Sequence, residues 1–218
     1  MNELLQPRWS EIWLRGNDAF SFSQGQFSQE VGSELRHTLL LAPDGSVISG
    51  GQIDLVGENV RFILPTDLTD TSLARLRRFL LRVDVAIDVR DEVEGPFGSA
   101  AQIVAAQWPS EHEWALGLAP HSYGRWVVDG SVSFSKGCFT GQELVGRADA
   151  RGATMPWRFV GGTCGSLESV HTSLRAVGPD GPQGVTSWYR DNSLMHWRGF
   201  AHRTWTNDDV DAHVQFMA

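Results

Sequence analysis

The eight residues Lys136-Gly137-Cys138-Phe139-Thr140-Gly141-Gln142-Glu143 concentrate the chemistry of this 218-residue chain. A cysteine close to a lysine can supply a thiolate, which can act as a nucleophile, a redox group or a soft-metal ligand. Thr140-Gly141-Gln142-Glu143 has the Ser/Thr-x-x-Glu form of a capping box. It predicts a short helix that begins at Thr140 and runs through Leu144 and Val145 toward Arg147. Cys138 would then sit just before a helix N-terminus, where free amides and the positive end of the macrodipole favour an anion and Lys136 adds a formal charge. Gly137 and Gly141 allow a tight turn and the close approach of a ligand. Spacing alone leaves a plainer alternative open, because a lone cysteine before a helix is commonly a small packed side chain.

The rest of the composition narrows the chemistry. The second cysteine, Cys164, lies in the loop-like Gly161-Gly162-Thr163-Cys164-Gly165, and two cysteines in such different settings argue against a disulfide framework. Seven histidines, including His37, His121 and His202, show no metal-ligand spacing, so no metal site is expected. Eighteen Lys and Arg against 26 Asp and Glu leave a net charge of -8, which repels nucleic acid and anionic membranes. Met1-Asn2-Glu3-Leu4-Leu5 lacks the basic and apolar regions of a secretion signal, and no apolar run approaches the length of a bilayer span. The expectation is a soluble, cytoplasmic protein that binds neither nucleic acid nor membrane.

The motif needs a scaffold, and the patterning predicts one. Thr38 to Ala42, Val47 to Val56 and Val60 to Leu64 read as strands, separated by Pro43-Asp44-Gly45 and Gly57-Glu58-Asn59, which makes an antiparallel meander. Leu68, Leu73, Leu76, Phe79 and Leu80 fall at helical spacing within 66–81, with Thr66, Asp67 and Asp70 as N-terminal caps. Val83, Val85, Ile87 and Val89 alternate with polar residues as in a half-buried strand. The breaker-rich Asp91 to Ser99 marks a boundary, and the pattern beyond Arg158 predicts a small all-β module, followed by a tail that frays. The expected domains are 1–92, an N-terminal α+β unit; 93–155, a middle α+β unit carrying the motif; 156–205, a C-terminal β module; and 206–218, the tail.

Lys136 to Glu143, continuing to Arg147, resembles the signature of the YgfZ family. Gly16-Asn17-Asp18-Ala19-Phe20 and Gln24-Gly25-Gln26 resemble its N-terminal elements, Pro43-Asp44-Gly45 its Pro-x-Gly turn, and Leu80-Leu81-Arg82-Val83 the end of its first helix. Gly184-Val185-Thr186-Ser187 through Leu194 to Arg203 resembles its C-terminal hairpin, so the likeness covers most of residues 12–205. The resemblance implies an α+β fold of the aminomethyltransferase superfamily: three small subdomains around a central opening that binds a tetrahydrofolate-type molecule, with a small C-terminal β-barrel. It implies an assembly or repair factor for iron–sulfur proteins, rather than a conventional enzyme, that works through Cys138 with Lys136. Its partners would be iron–sulfur proteins or their assembly machinery.

By the same resemblance the folate contacts are Gln24, Gln26, Gly137, Gly141, Gln142, Glu143 and Arg147, the last holding an anionic tail. Trp126 could stack on the pterin, although nine tryptophans in one chain are mostly core. The chain is short for the family between about Pro96 and Val132, where the Arg-x-x-x-Gly-x-Pro and Pro-x-Glu elements are not intact and Pro120-His121-Ser122 lacks the glutamate. Two further readings stay open: a tetrahydrofolate-dependent aminomethyl or one-carbon transferase, and a degenerate folate-binding module with an inert Cys138.

Overall fold

The computed structural model describes residues 1–152, 154–192 and 194–206, together with the backbone of 212–216. The chain begins with a two-residue strand, β1 (Asn2–Glu3), followed by β2 (Trp9–Arg15), α1 (Ala19–Gln26), β3 (Arg36–Leu41), β4 (Val47–Val56) and β5 (Asn59–Pro65). The predicted meander is present. Pro43-Asp44-Gly45 joins β3 to β4, with the Asp44 carboxylate accepting from Ser46 N at 3.1 Å and Oγ at 2.7 Å. Gly57 and Glu58 close the next hairpin, setting Val56 opposite Asn59.

The helix predicted over 66–81 divides into a 3-10 turn, Thr66–Leu68, and α2 (Thr69–Arg77). Its Leu73 and Leu76 pack with Ile12, Leu14, Phe22, Phe27 and Phe62 in one core. The following strand, β6 (Ala86–Val93), starts and ends later than the alternation of valines predicts. Asp84 is already engaged, since its carbonyl accepts from Asp18 N at 3.2 Å and its own N donates to the Asp18 carboxylate at 2.8 Å. These bonds close the Gly16-Asn17-Asp18 turn, and the ladder with β2 begins at Ala86 opposite Arg15. The first sheet has the order β3-β4-β5-β2-β6.

Between the two sheets lie α3 (Ala100–Ala105), α4 (Glu111–Trp114), a 3-10 turn (Pro120–Tyr123), α5 (Arg125–Ser131) and α6 (Gln142–Ala150). Trp108, Trp114, Tyr123, Val127 and Val128 from this stretch share a core with Leu39 and Leu41 of the first sheet and Phe159 and Phe200 of the second. Gly50 makes that contact possible, because a Cβ there would lie 2.5 Å from the Trp114 ring.

The second sheet is built from β7 (Trp157–Cys164), β8 (Gly184–Asp191), β9 (Leu194–His202) and β10 (Ala212–Phe216), in the order β1-β8-β9-β7-β10. No closing pair between β1 and β10 is recorded among the described residues, so a barrel is not shown. An all-β module was expected, and a helix, α7 (Leu167–Arg175), joins it, with Ser166 Oγ accepting from Ser169 N and Val170 and Leu174 buried. The tail supplies a strand in place of a fray: 212–216 pair antiparallel with β7, while 207–211, 217 and 218 lie outside the described residues. The start of the chain is also in this sheet, since β1 runs parallel to β8.

A buried ion pair ties the middle helices to the second sheet. Arg198 Nη2 donates to Glu113 Oε2 at 3.0 Å, and both side chains are inaccessible to solvent. Thr186 and Ser187 hydroxyls each donate to Glu113 Oε1 at 2.6 Å, and Ser110 donates to Oε2 from N and Oγ. Arg198 Nη1 donates to the Trp108 carbonyl at 2.6 Å. Every carboxylate oxygen is thereby satisfied, as a charge without water requires.

Candidate functional site

Cys138 is exposed, and the residues around it are held down. Phe139 is buried in the shared core. Lys136 Nζ donates to the carbonyls of Phe27 at 2.8 Å and Gln29 at 2.9 Å, and lies 5.5 Å from the centre of the Phe139 ring. Burial lowers the Lys136 pKa to about 8, against a smaller upward pull from Glu30. Further bonds stitch the same two segments together: Ser133 N to Ser28 O at 3.0 Å, Ser28 Oγ to Ser131 O at 2.6 Å, and Thr140 N to Gly25 O at 3.0 Å. Gln24 to Gln26 and Lys136 to Glu143, more than a hundred residues apart in sequence, therefore meet in the fold.

The expected capping box is not formed. Helix α6 begins at Gln142, its N-cap is Gly141, and no side chain caps it. Gly141 is in the left-handed region, with φ +84°, where the extended backbone of a side-chain N-cap is not available. Thr140 Oγ1 donates instead to Gly25 O at 3.4 Å, Gln142 Oε1 accepts from Phe139 N at 3.3 Å, and Glu143 pairs with Arg147 one turn on. Gly141 is required for close approach to this chain's own backbone. A Cβ there would lie 2.8 Å from the Ala42 carbonyl and 3.2 Å from Gly45 Cα. Cys138 thus lies four positions before the first helical residue.

The other proposed folate contacts have partners within the protein. Gln24 Nε2 donates to Val31 O at 3.2 Å, and its Oε1 accepts from Val31 N at 3.3 Å, which braces the loop after α1. Gln26 Oε1 accepts from Arg75 Nη1 at 3.0 Å, and Arg75 Nε donates to Leu41 O at 2.9 Å. Arg75 is buried, and that burial, with Arg78 nearby, lowers its pKa to about 10. Arg147 is exposed and paired with Glu143. Trp126 is half-buried against Trp108, with ring centres 5.7 Å apart.

A cavity of about 820 Å³ lies away from these residues. Its apolar walls include Pro7, Trp9 and Val93, and its polar lining includes Arg8, Asp67, Glu92, Glu111 and His112. Arg8 Nη2 pairs with Asp67 Oδ1 at 2.7 Å, and Trp9 Nε1 donates to Phe97 O at 2.8 Å, which orients the indole. The walls come from the chain start, the β5 end, the β6 end and α4, so no local motif announces them. Among the described residues, no group of three or more His, Cys, Asp or Glu is placed to hold a metal, and no helix is long and apolar enough to cross a membrane.

No family model matches the sequence, and no curated protein matches it. The backbone does match solved structures, and the class that it resembles is that of the aminomethyltransferases. One such structure is the glycine cleavage system aminomethyltransferase T from Bartonella henselae, with a TM-score of 0.58 over 99% of this chain and 85% of that one, at 10% sequence identity. At that identity the likeness defines the fold, and function has to be argued from the site.

Proposed function

We propose that the protein binds a tetrahydrofolate-type molecule and serves the assembly or repair of iron–sulfur proteins through Cys138. The observation that carries this reading is the presentation of the cysteine: Cys138 is exposed while Phe139 is buried beside it and Lys136 is tied to two carbonyls. A thiol on an anchored loop can meet a protein-bound cluster or a damaged thiol without first ordering its own backbone.

Folate recognition needs a carboxylate for the amino edge of the pterin, an apolar wall for its rings and cations for the glutamyl tail. The 820 Å³ cavity fits these needs within the roughly 300–1,000 Å³ of small-molecule sites. Glu92 and Glu111 offer carboxylates, with His112 Nε2 3.4 Å from Glu111 Oε1, Pro7, Trp9 and Val93 offer the wall, and Arg8, paired with Asp67, offers the cation. When bound, the folate supplies an amine nitrogen that can carry a one-carbon unit. Gln24 and Gln26 then act as braces that shape the loop on which Lys136 is anchored.

A second reading, a tetrahydrofolate-dependent aminomethyltransferase, is favoured by the likeness to aminomethyltransferase T. It would require Asp67, Glu92 or Glu111 to act as the electrostatic partner of the folate nitrogen.

The test is to express the wild type, Cys138→Ala and Glu92→Gln/Glu111→Gln in a bacterium lacking its own family member, assaying a four-iron-cluster tRNA-modifying enzyme and measuring tetrahydrofolate binding in parallel. Rescue by the wild type and not by Cys138→Ala supports the reading. Equal rescue removes Cys138 from it. No rescue by a folded wild type that still binds folate favours the transferase.

A further inference from the structure

Helix α2 runs out into Arg75-Leu76-Arg77-Arg78-Phe79-Leu80-Leu81-Arg82, which holds four of the chain's 18 Lys and Arg and no carboxylate. Arg75 is buried, whereas Arg77, Arg78 and Arg82 are exposed. None of these three has a carboxylate within 4 Å among the described residues. Elsewhere on the surface Arg8, Arg15, Arg36, Arg125 and Arg147 each have one. Arg90, Arg151, Arg175, Arg190 and Arg203 are also exposed without a carboxylate within 4 Å among the described residues, so what sets this stretch apart is that three such arginines fall within six residues, beside exposed apolar side chains.

The same stretch exposes apolar surface. Leu81 is 82% exposed and Phe79 is 39% exposed, while the Arg75 guanidinium lies 4.1 Å from the centre of the Phe79 ring and holds it in place. Arg82 occupies the left-handed region at φ +63°, a conformation that costs a residue with a Cβ. The helix dipole favours a cation in the last turn of α2, which accounts for Arg77. It accounts neither for Arg78 and Arg82 beyond the helix nor for a leucine left in solvent among them.

We propose that this helix end is a docking surface for an acidic segment of a partner protein, one that carries an apolar side chain among its carboxylates. Guanidinium groups bind carboxylates in a bidentate fashion, and Leu81 and Phe79 would bury their exposed surface against the partner's apolar group. A membrane or nucleic acid presents an extended sheet of negative charge. Such a sheet would also meet Asp84 and, on the strand that follows, Asp88, Asp91 and Glu92, in a molecule of net charge -8. A short acidic segment meets only the arginines. This surface is independent of whether Cys138 reacts.

The test is fluorescence anisotropy of the whole protein with a short fluorescein-labelled glutamate–leucine peptide, beside phosphatidylserine vesicles and a single-stranded oligonucleotide. The wild type should bind the peptide in low salt, and Arg77→Gln/Arg78→Gln/Arg82→Gln should bind at least about tenfold more weakly. Leu81→Ser should weaken binding without changing its salt dependence, and Arg36→Gln should leave it unchanged. Arg82→Gly should raise the melting temperature while weakening the peptide complex, which separates the surface from the fold. The proposal is overturned by equal binding in the triple variant, by no peptide binding to the wild type, or by vesicles or oligonucleotide being held more tightly than the peptide.

Discussion

Lys136 reaches from the cysteine loop to the carbonyl oxygen of Phe27, 2.8 Å away, and to that of Gln29, 2.9 Å away. The ammonium that the sequence assigns to a thiolate is thus one fastening of the loop. Lys136→Met should destabilise most above about pH 8, by about 1–3 kcal/mol, because two carbonyls lose their donor there with no buried charge relieved in exchange. Burial lowers the folded-state pKa from 10.5 to about 8. Between these values the unfolded chain binds more protons than the folded one, so wild-type stability should rise with pH from about 8 to about 10. Urea unfolding across that range checks it. A Lys136→Met protein as stable as the wild type, with the same pH slope, would remove the anchor.

The glycines of the motif make a matched pair. A Cβ on Gly141 would press on Ala42 and Leu41, at φ +84°, whereas one on Gly137 would meet nothing within 4 Å. Gly141→Ala should therefore destabilise by about 1–3 kcal/mol, and Gly137→Ala should stay within about 0.5 kcal/mol. Thr140→Ala, which a capping box would make costly, should also stay near 0.5 kcal/mol, since its hydroxyl makes one long bond to Gly25. Thermal or urea melts of the three variants decide whether Gly141 or Thr140 sets the start of α6.

Local patterns carried the first sheet and the existence of the motif, because a hairpin announces itself in its turn residues and a meander in its alternation. The same Ser/Thr-x-x-Glu signal occurs twice, and the sequence alone does not say which copy caps a helix. Ser110-Glu111-His112-Glu113 forms a true capping box, while Thr140-Gly141-Gln142-Glu143 does not, since Gly141 docks on the Pro43-Asp44-Gly45 turn. That docking is a tertiary contact nearly a hundred residues away in sequence. Helix α7 was legible in Ser166 with Leu167, Val170 and Leu174 at helical spacing, but it was hidden by the strands on either side. The 820 Å³ cavity and the Glu113 to Arg198 pair join distant segments, and nothing local marks either.

That pair yields a prediction about how the middle helices hold the second sheet. Burial alone would raise the Glu113 pKa, but Arg198 and the hydroxyls of Ser110, Ser187 and Thr186 bring it below the ordinary value. Its contribution to stability is complete above the unfolded carboxylate pKa and is lost as pH falls below it. Arg198→Met leaves a buried carboxylate without its partner and should cost about 3–5 kcal/mol. Adding Glu113→Gln should recover much of that loss. A single variant that unfolds like the wild type would show that the pair is not a clamp.

The two cysteines separate the competing accounts of Cys138. It is exposed, whereas Cys164 is buried and its thiol pKa is raised by that burial. Iodoacetamide should modify Cys138 in the native protein and reach Cys164 only as the chain unfolds. Lys136→Met then distinguishes two roles for the lysine. If its charge stabilises the thiolate, labelling of Cys138 slows when the charge is removed. If it fastens the loop to Phe27 and Gln29, labelling holds steady or quickens as the loop loosens. The carbonyl contacts favour the second outcome, and a slowing of several-fold with unchanged stability would return Lys136 to the chemistry of the thiol.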